Sequence, residues 1–390
     1  MKQTLLFVAI LVLLSTCREK FEAEQAYQPG SILVVEGFIN VGPGITRIKL
    51  SRVTPLNAIS KLNPETAGIV VIEDDADGTY ALQHRGNGVY ESAELNLDLD
   101  HEYRLRIEAG DETYLSDFTE PRVTPLIDEV AWTRSQDDEI SITVSTRDPQ
   151  NETFYYKWEY EEIWETRSAY RSSWAYENGM PRIRTGDEVK AMSVCWPRRQ
   201  NRDILMASSA ALVTDAISKF PLTSFPVSDS RLGWRYSITV TQRALQRDEF
   251  EFLQVMERNS SDLGGFFDSQ PSQLLSNIQC ITSDQLVVGF IASYTSQKKQ
   301  VFIKHSQVSD FDYTTPCSVD VLEVLLGDPQ LPIYLEQALP VDAIYGPFID
   351  DAPQLIGFTI VAKSCADCRI VYGSEPKPDF WVAEDNDDVE

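Results

Sequence analysis

Leu99-Asp100-His101-Glu102-Tyr103-Arg104-Leu105-Arg106-Ile107 is the stretch that decides the fold of the first part of this chain. Tyr103, Leu105 and Ile107 fall on one side of an extended backbone, and Arg104 and Arg106 on the other. Such a period of two predicts a strand with one dry face. The Tyr at its entrance resembles a tyrosine corner, in which the hydroxyl bonds backbone a few residues upstream at the edge of an immunoglobulin-type sandwich. Working outward, Thr46-Arg47-Ile48-Lys49-Leu50 alternates in the same way. Ile32-Leu33-Val34-Val35, Gly68–Glu73, Thr79–Gln83 and Val89–Ala93 supply further strand candidates. Gly, Pro and Asp punctuate them closely, as in antiparallel sandwiches. The expected unit is an immunoglobulin-like β-sandwich over residues 31–125, with Pro121 and Pro125 bracketing its exit.

Residues 126–381 read as a larger β-rich domain. Glu129–Trp132, Ile140–Val144, Leu286–Ser293, Lys299–Lys304, Gln354–Ala362 and Cys368–Tyr372 are its strand candidates. The aromatic run Phe154–Trp164 places Tyr156, Trp158 and Tyr160 on one face and Lys157, Glu159 and Glu161 on the other. Burial preferences favour a core face and a wet face over an aromatic platform for a sugar. Leu245, Phe252, Leu253 and Met256 recur at helical spacing, so a helix is expected near 243–258. The fold class is therefore mainly β: an N-terminal immunoglobulin-like β-sandwich followed by a larger β-sandwich domain with one helix. Residues 382–390 carry Glu384, Asp385, Asp387, Asp388 and Glu390 and read as an acidic disordered tail.

The 390 residues include 34 Lys or Arg against 60 Asp or Glu, a formal net charge of −26. Nucleic acid is excluded as a partner on this ground, because phosphate binding needs a basic surface. Three His, at 84, 101 and 305, leave little for His-based catalysis or metal binding. At the N-terminus, Lys2 precedes an apolar run from Leu5 to Leu14 and then Ser15-Thr16-Cys17. This is a secretory signal, too short to span a bilayer. Its end resembles a bacterial lipobox, with Thr16 a departure from the usual small residue. Residues 1–16 are read as the signal peptide, Cys17 as the acylated N-terminus and residues 17–30 as a tether. More than one acyl chain then gives stable anchoring.

Several motifs invite chemistry. Glu73-x-Asp75-x-Asp77-Gly78 begins like a calcium loop, but position twelve is His84 and no helices flank it, so a hairpin turn is expected. Cys365-Ala366-Asp367-Cys368 lies between strand-like runs and lacks a second Cys or His pair nearby. In an exported chain it reads as part of a disulfide. Cys195, Cys317, Cys365 and Cys368 are the disulfide candidates; Cys365 or Cys368 pairs with Cys317 or with its neighbour, and Cys280 is the expected free thiol. No G-x-S-x-G, H-E-x-x-H or P-loop occurs. No catalytic residue, metal site or cofactor is assigned, and the chain is read as a non-enzyme. Carboxylates of the Glu159–Glu165 run are the remaining glycosidase candidates, a mechanism set by spatial separation. Trp174 and Trp234 are candidate ligand-facing aromatics.

Taken in order, Val34-Val35-Glu36-Gly37, Phe154–Glu165, Cys195-Trp196, Tyr236-Ser237-Ile238, Gln242-Arg243-Ala244-Leu245, Gln270-Pro271, Asn277-Ile278, Gly289-Phe290, Cys365-Ala366-Asp367-Cys368-Arg369 and Lys377-Pro378-Asp379-Phe380-Trp381 resemble the DUF4249 lipoproteins of Bacteroidota. The resemblance implies an outer-membrane lipoprotein of a kind often encoded beside TonB-dependent receptors for nutrient uptake; the signal is shared by surface-facing and periplasmic lipoproteins and leaves both faces open, with the cell surface the preferred one. It carries no catalytic residue. The function expected is a non-enzymatic accessory or binding component anchored by lipid beside a TonB-dependent barrel. The alternative is a free-standing adhesin or glycan-binding lipoprotein, with a carboxylate-based glycoside hydrolase behind it.

Overall fold

The computed structural model describes residues 32–53, 63–178, 180–261, 276–308, 310, 316–323, 333–335, 338–349 and 352–381. Cys17, the signal peptide, the tether and the acidic tail lie outside the described residues.

The fold is mainly β. Seven strands build the first sandwich: β1 (Leu33–Asn40), β2 (Arg47–Arg52), β3 (Ile69–Asp74), β4 (Thr79–Gly86), β5 (Val89–Glu91), β6 (Tyr103–Ala109) and β7 (Glu112–Ser116). Apolar residues at alternate positions face one core: Leu33, Val35, Ile48, Leu50, Val70, Ile72, Leu105 and Ile107. The Tyr103 hydroxyl donates to the Asp98 carbonyl at 2.7 Å, the geometry of a tyrosine corner. Burial, more than the nearby carboxylates, pushes that phenol up to about 12.

A second sandwich follows. β8 (Ile127–Arg134), β9 (Glu139–Arg147) and β16 (Ala216–Pro226) form one sheet in the order β16-β9-β8. The facing sheet centres on β10 (Tyr155–Arg167), β17 (Arg235–Ala244) and β21 (Ser296–Lys304), with β13 (Val194–Cys195), β14 (Arg198–Gln200) and β15 (Leu205–Ser208) along the free edge of β10. Tyr156, Trp158, Ile238 and Val240 pack against Ile140, Ile142 and Val144 between the sheets. Between β10 and β13 the chain makes a hairpin, β11 (Trp174–Glu177) with β12 (Met180–Ile183), and a helix, α1 (Gly186–Ser193). Thr185 and Glu188 close a capping box at the start of α1.

The expected boundary at residue 125 does not separate the two sandwiches. After β17 the chain forms α2 (Arg247–Ser261). It then returns to the first sandwich as β18 (Ile278–Cys280), β19 (Val287–Gly289) and β20 (Ser293–Tyr294). β18 pairs antiparallel with β7, while β19 and β20 pair parallel with β1. Ile278, Val287 and Ile291 complete the first core. The exit segment is bonded in as well: Arg122 N–H donates to the Ser293 carbonyl and Thr295 N–H to the Arg122 carbonyl, both at 2.9 Å. The two sandwiches are thus interlocked rather than strung in sequence.

Three further expectations need correction. The helix begins at Arg247, not near 243, because Thr241–Ala244 belongs to β17, where its backbone pairs with β10. It is also not the single helix, since α1 and two short turns, α3 (Lys363–Ala366) and α4 (Arg369–Tyr372), are present. Residues 368–372, expected as a strand, form α4 with its Cys368 cap; β22 (Val319–Glu323), β24 (Ala352–Ala362) and β23 (Ala338–Ile349) pair without them in a separate sheet. Among the described residues no helix is long and apolar enough to cross a membrane.

Candidate functional site

The strongest concentration of unusual chemistry lies at the seam between the sandwiches. Period two places Lys157 and Glu159 of β10, and Arg243 of β17, on the sheet face opposite the core. There they meet Phe38 of β1, Tyr294 of β20 and Glu249 of α2. Arg243 is 4% exposed. Its Nη1 donates to the Tyr294 hydroxyl at 3.0 Å and its Nη2 to Glu159. Its guanidinium lies 4.5 Å from the Phe38 ring centroid, and Phe38 stacks on Tyr294 at 4.6 Å. Lys157 Nζ reaches Glu159 Oε1 at 3.1 Å. Burial favours neutral Glu159, yet the Arg243 and Lys157 cations hold its carboxyl below the usual range. Burial lowers Lys157, and Arg243 adds to the effect. Glu249, 6% exposed, is pushed up by burial to about 7, with Arg243 and Lys157 pulling the other way.

Beside this cluster runs an open groove of about 380 Å³, lined by Glu102, Phe118, Glu120 and Arg122 from the first sandwich and Arg247 and Asp248 from α2. Gln242 ties the seam to the second core. It accepts from Trp158 Nε1 at 2.8 Å and donates to the Pro125 carbonyl and Thr146 Oγ1 at 2.9 Å each. The helix position of Glu249 and the register of Arg243 are local. Their meeting is not, because it depends on β20 arriving against β1.

The aromatic run supplies core. Tyr156 and Trp158 are fully buried, stacked at 6.0 Å, and Trp158 stacks on Phe220 at 4.6 Å. Trp174 packs edge-on against Phe358 at 5.6 Å. Trp234 is 45% exposed, with the Arg167 guanidinium 3.7 Å from its ring centroid. Two further carboxylates of the same run are engaged. Glu162, fully buried, accepts from Arg199 Nε at 2.6 Å, from the Tyr236 hydroxyl at 2.8 Å and from Arg231. Glu165 accepts from Arg167 Nε at 2.8 Å and from Trp381 Nε1 at 3.2 Å.

The acidic turn is a hairpin turn between β3 and β4. Asp74 Oδ1 accepts from the N–H groups of Ala76 and Gly78 at 3.0 and 2.6 Å. Asp75 pairs with His101 Nδ1 at 2.7 Å, and Glu73 with Arg104. The cysteines form two bridges, Cys195–Cys368 and Cys317–Cys365, each with Cα atoms 6.0 Å apart; Cys280 is a free thiol. Cys365-Ala366-Asp367-Cys368 therefore splits between two distant partners. It lies across α3 and α4 rather than between strands.

A family model described as "Domain of unknown function (DUF4249)" matches residues 18–300. The chain belongs to the DUF4249 family. The DUF4249 match runs from before β1 into the first half of β21, and it stops before the disulfide-linked C-terminal sheet. No curated protein matches the chain. Among solved structures, the chicken CNTN1 FN1-FN3 domains align at 11% identity over 55% of this chain and 59% of that chain, with a TM-score of 0.15. A likeness that low carries no argument, and the DUF4249 fold described above rests on its own sheet order.

Proposed function

We propose that this protein is an outer-membrane lipoprotein, acylated at Cys17, that acts without catalysis as an accessory or binding component beside a TonB-dependent nutrient-uptake receptor. The observation that carries the export part is the pairing of Cys195 with Cys368 and Cys317 with Cys365. Such bridges persist in oxidising compartments. The apolar run ending at Cys17 and membership of the DUF4249 family point the same way. The non-enzymatic reading is supported by the use made of the carboxylates. Glu159, Glu162 and Glu165 are bound into ion pairs, which leaves Glu161 as the one carboxylate of the run without such a pair among the described residues.

The test is to tag the C-terminus, extract the outer membrane in mild detergent and identify co-purifying proteins by mass spectrometry. A TonB-dependent barrel in stoichiometric amount is expected. A solitary protein overturns the accessory role. Cys17→Ala is expected to move the protein into the soluble fraction; retention in the membrane contradicts lipid anchoring as the sole attachment.

A second reading, a free-standing glycan binder, is favoured by one observation: Trp234 keeps 45% of its surface exposed. It requires that Trp234→Ala abolish binding to a glycan that the intact chain retains.

A further inference from the structure

We propose that Glu249 makes the seam between the two sandwiches a proton-operated latch, closed while its carboxyl carries a proton and loosened when that proton is released. Independently of the function proposed above, the latch arises from how the cluster's hydrogen bonds are shared out. Glu249 Oε1 has a single partner, the Tyr294 hydroxyl at 3.4 Å. Its Oε2 is buried without a hydrogen-bond partner among the described residues, and so is Arg243 Nε. Both cations of the cluster are committed to another acid. Arg243 donates Nη2 to Glu159, and Lys157 Nζ sits 3.1 Å from the same carboxylate. The remaining η nitrogen of Arg243 goes to Tyr294, and its guanidinium lies over Phe38. Glu249 is thus left with a weak phenol contact in a dry site, where an ionised carboxylate is costly and a neutral acid is not.

The groups facing Glu249 are Arg243 from β17, Lys157 and Glu159 from β10 and Tyr294 from β20; β1 contributes only the ring of Phe38. On its own helix, Arg247 and Asp248 are exposed, and Arg247 bonds Glu251 at 2.8 Å. Burial acts most strongly on Glu249, raising its carboxyl, while Arg243 and Lys157 oppose it without cancelling it. The sign follows. An acid raised in the closed state holds a proton that the opened state gives up, so opening releases one proton. The seam is tightest at low pH. It weakens between the ordinary carboxylate range and about pH 7, and its pH dependence levels off above that. One proton released corresponds to about a tenfold rise in the opening constant per pH unit across that window. The same seam carries the strand exchange that interlocks the sandwiches, so loosening it exposes β1 and β20 together.

The experiment follows amide exchange by mass spectrometry in the full chain, at residues 33–40 and 287–294, from about pH 5 to about pH 8, corrected for the intrinsic rate. Wild-type protection is expected to fall about tenfold per unit up to about pH 7. Glu249→Gln keeps the shape and removes the proton; its protection is expected to stay high and flat. Glu159→Gln removes a neighbouring negative charge that raises Glu249, so it is expected to shift the midpoint downward and retain the dependence. Glu249→Gln following the wild-type profile overturns the proposal. Should that variant fail to fold, the wild-type chain decides alone: a one-proton slope supports the latch, and flat protection overturns it.

Discussion

The first sandwich and the C-terminal sheet are both fixed to the second sandwich by segments remote in sequence, and the chemistry of the two attachments differs. At the seam the joints are main-chain: β18 lies on β7, β19 and β20 lie on β1, and Ile278, Val287 and Ile291 enter the core. A charge cluster built around buried Arg243 and Glu249, with Glu159 at its exposed rim, closes the remaining space. The C-terminal sheet contributes no strand to either sandwich. It is held by the Cys195–Cys368 disulfide, by the Ser172 hydroxyl on the Pro340 carbonyl at 2.6 Å and by Trp381 on Glu165, while Cys317–Cys365 staples the C-terminal unit to itself. Its strands leave Val319, Val321 and Tyr345 exposed. A unit with a small core needs covalent help, whereas a shared core holds by burial.

That contrast can be broken most severely by cutting the chain. Residues 32–125 expressed alone lack three of the strands that complete their sandwich, and they are expected to show no cooperative thermal transition by circular dichroism. A sharp transition would mean that β18–β20 are ornaments on an independent domain. Next in size is Trp158→Ala. It opens the second core and strands the Gln242 amide that braces Pro125, so a loss of about 3–5 kcal/mol in urea denaturation is expected. A loss well under 1 kcal/mol would show that the core repacks around the gap. Replacing Cys195 and Cys368 together by Ser opens a closure between residues 173 apart. The expected cost is about 2–4 kcal/mol, with new proteolytic cleavage confined to residues beyond 316. Cleavage appearing equally in the first sandwich would erase the distinction between the two attachments. The smallest effect concerns an exposed pair. The hydrogen bond to Asp75 raises the His101 imidazole above its ordinary value, and Asp75→Asn is expected to bring it back down in an NMR titration. Any stability that pair adds is present at low pH and lost as pH rises through the His101 titration, opposite in origin to the buried acid at the seam but the same in direction.

Local features of this fold were legible because local physics writes them. Tyr103 before an alternating strand specifies a corner, Asp77-Gly78 specifies a turn, and Tyr156 and Trp158 on one face specify a core. The Thr185-x-x-Glu188 capping box was equally readable and marks α1, although the strand-like residues around it draw attention away. Thr241–Ala244 misled because Leu245, Phe252 and Met256 extend a helical period backward into a strand that two neighbours already pair. Recruitment of β18–β20 left no local mark. Val287 and Ile291 are apolar wherever they pack, and only the partner's register decides which sandwich receives them. The same limit applies to the cysteines: Cys365 and Cys368 stand three apart, and the helical turns of α3 and α4, not the spacing, send each to a different partner. The seam cluster was invisible for both reasons together, since it joins residues from β1, β10, β17, β20 and α2.

The shared core makes residues 276–294 one energetic unit with the first sandwich. Amide exchange followed through a urea series tests it directly. Residues 33–52 and 278–294 are expected to lose protection at the same urea concentration, as one cooperative unit. Loss of protection at 33–52 while 278–294 stays protected with β17 and β21 would contradict it.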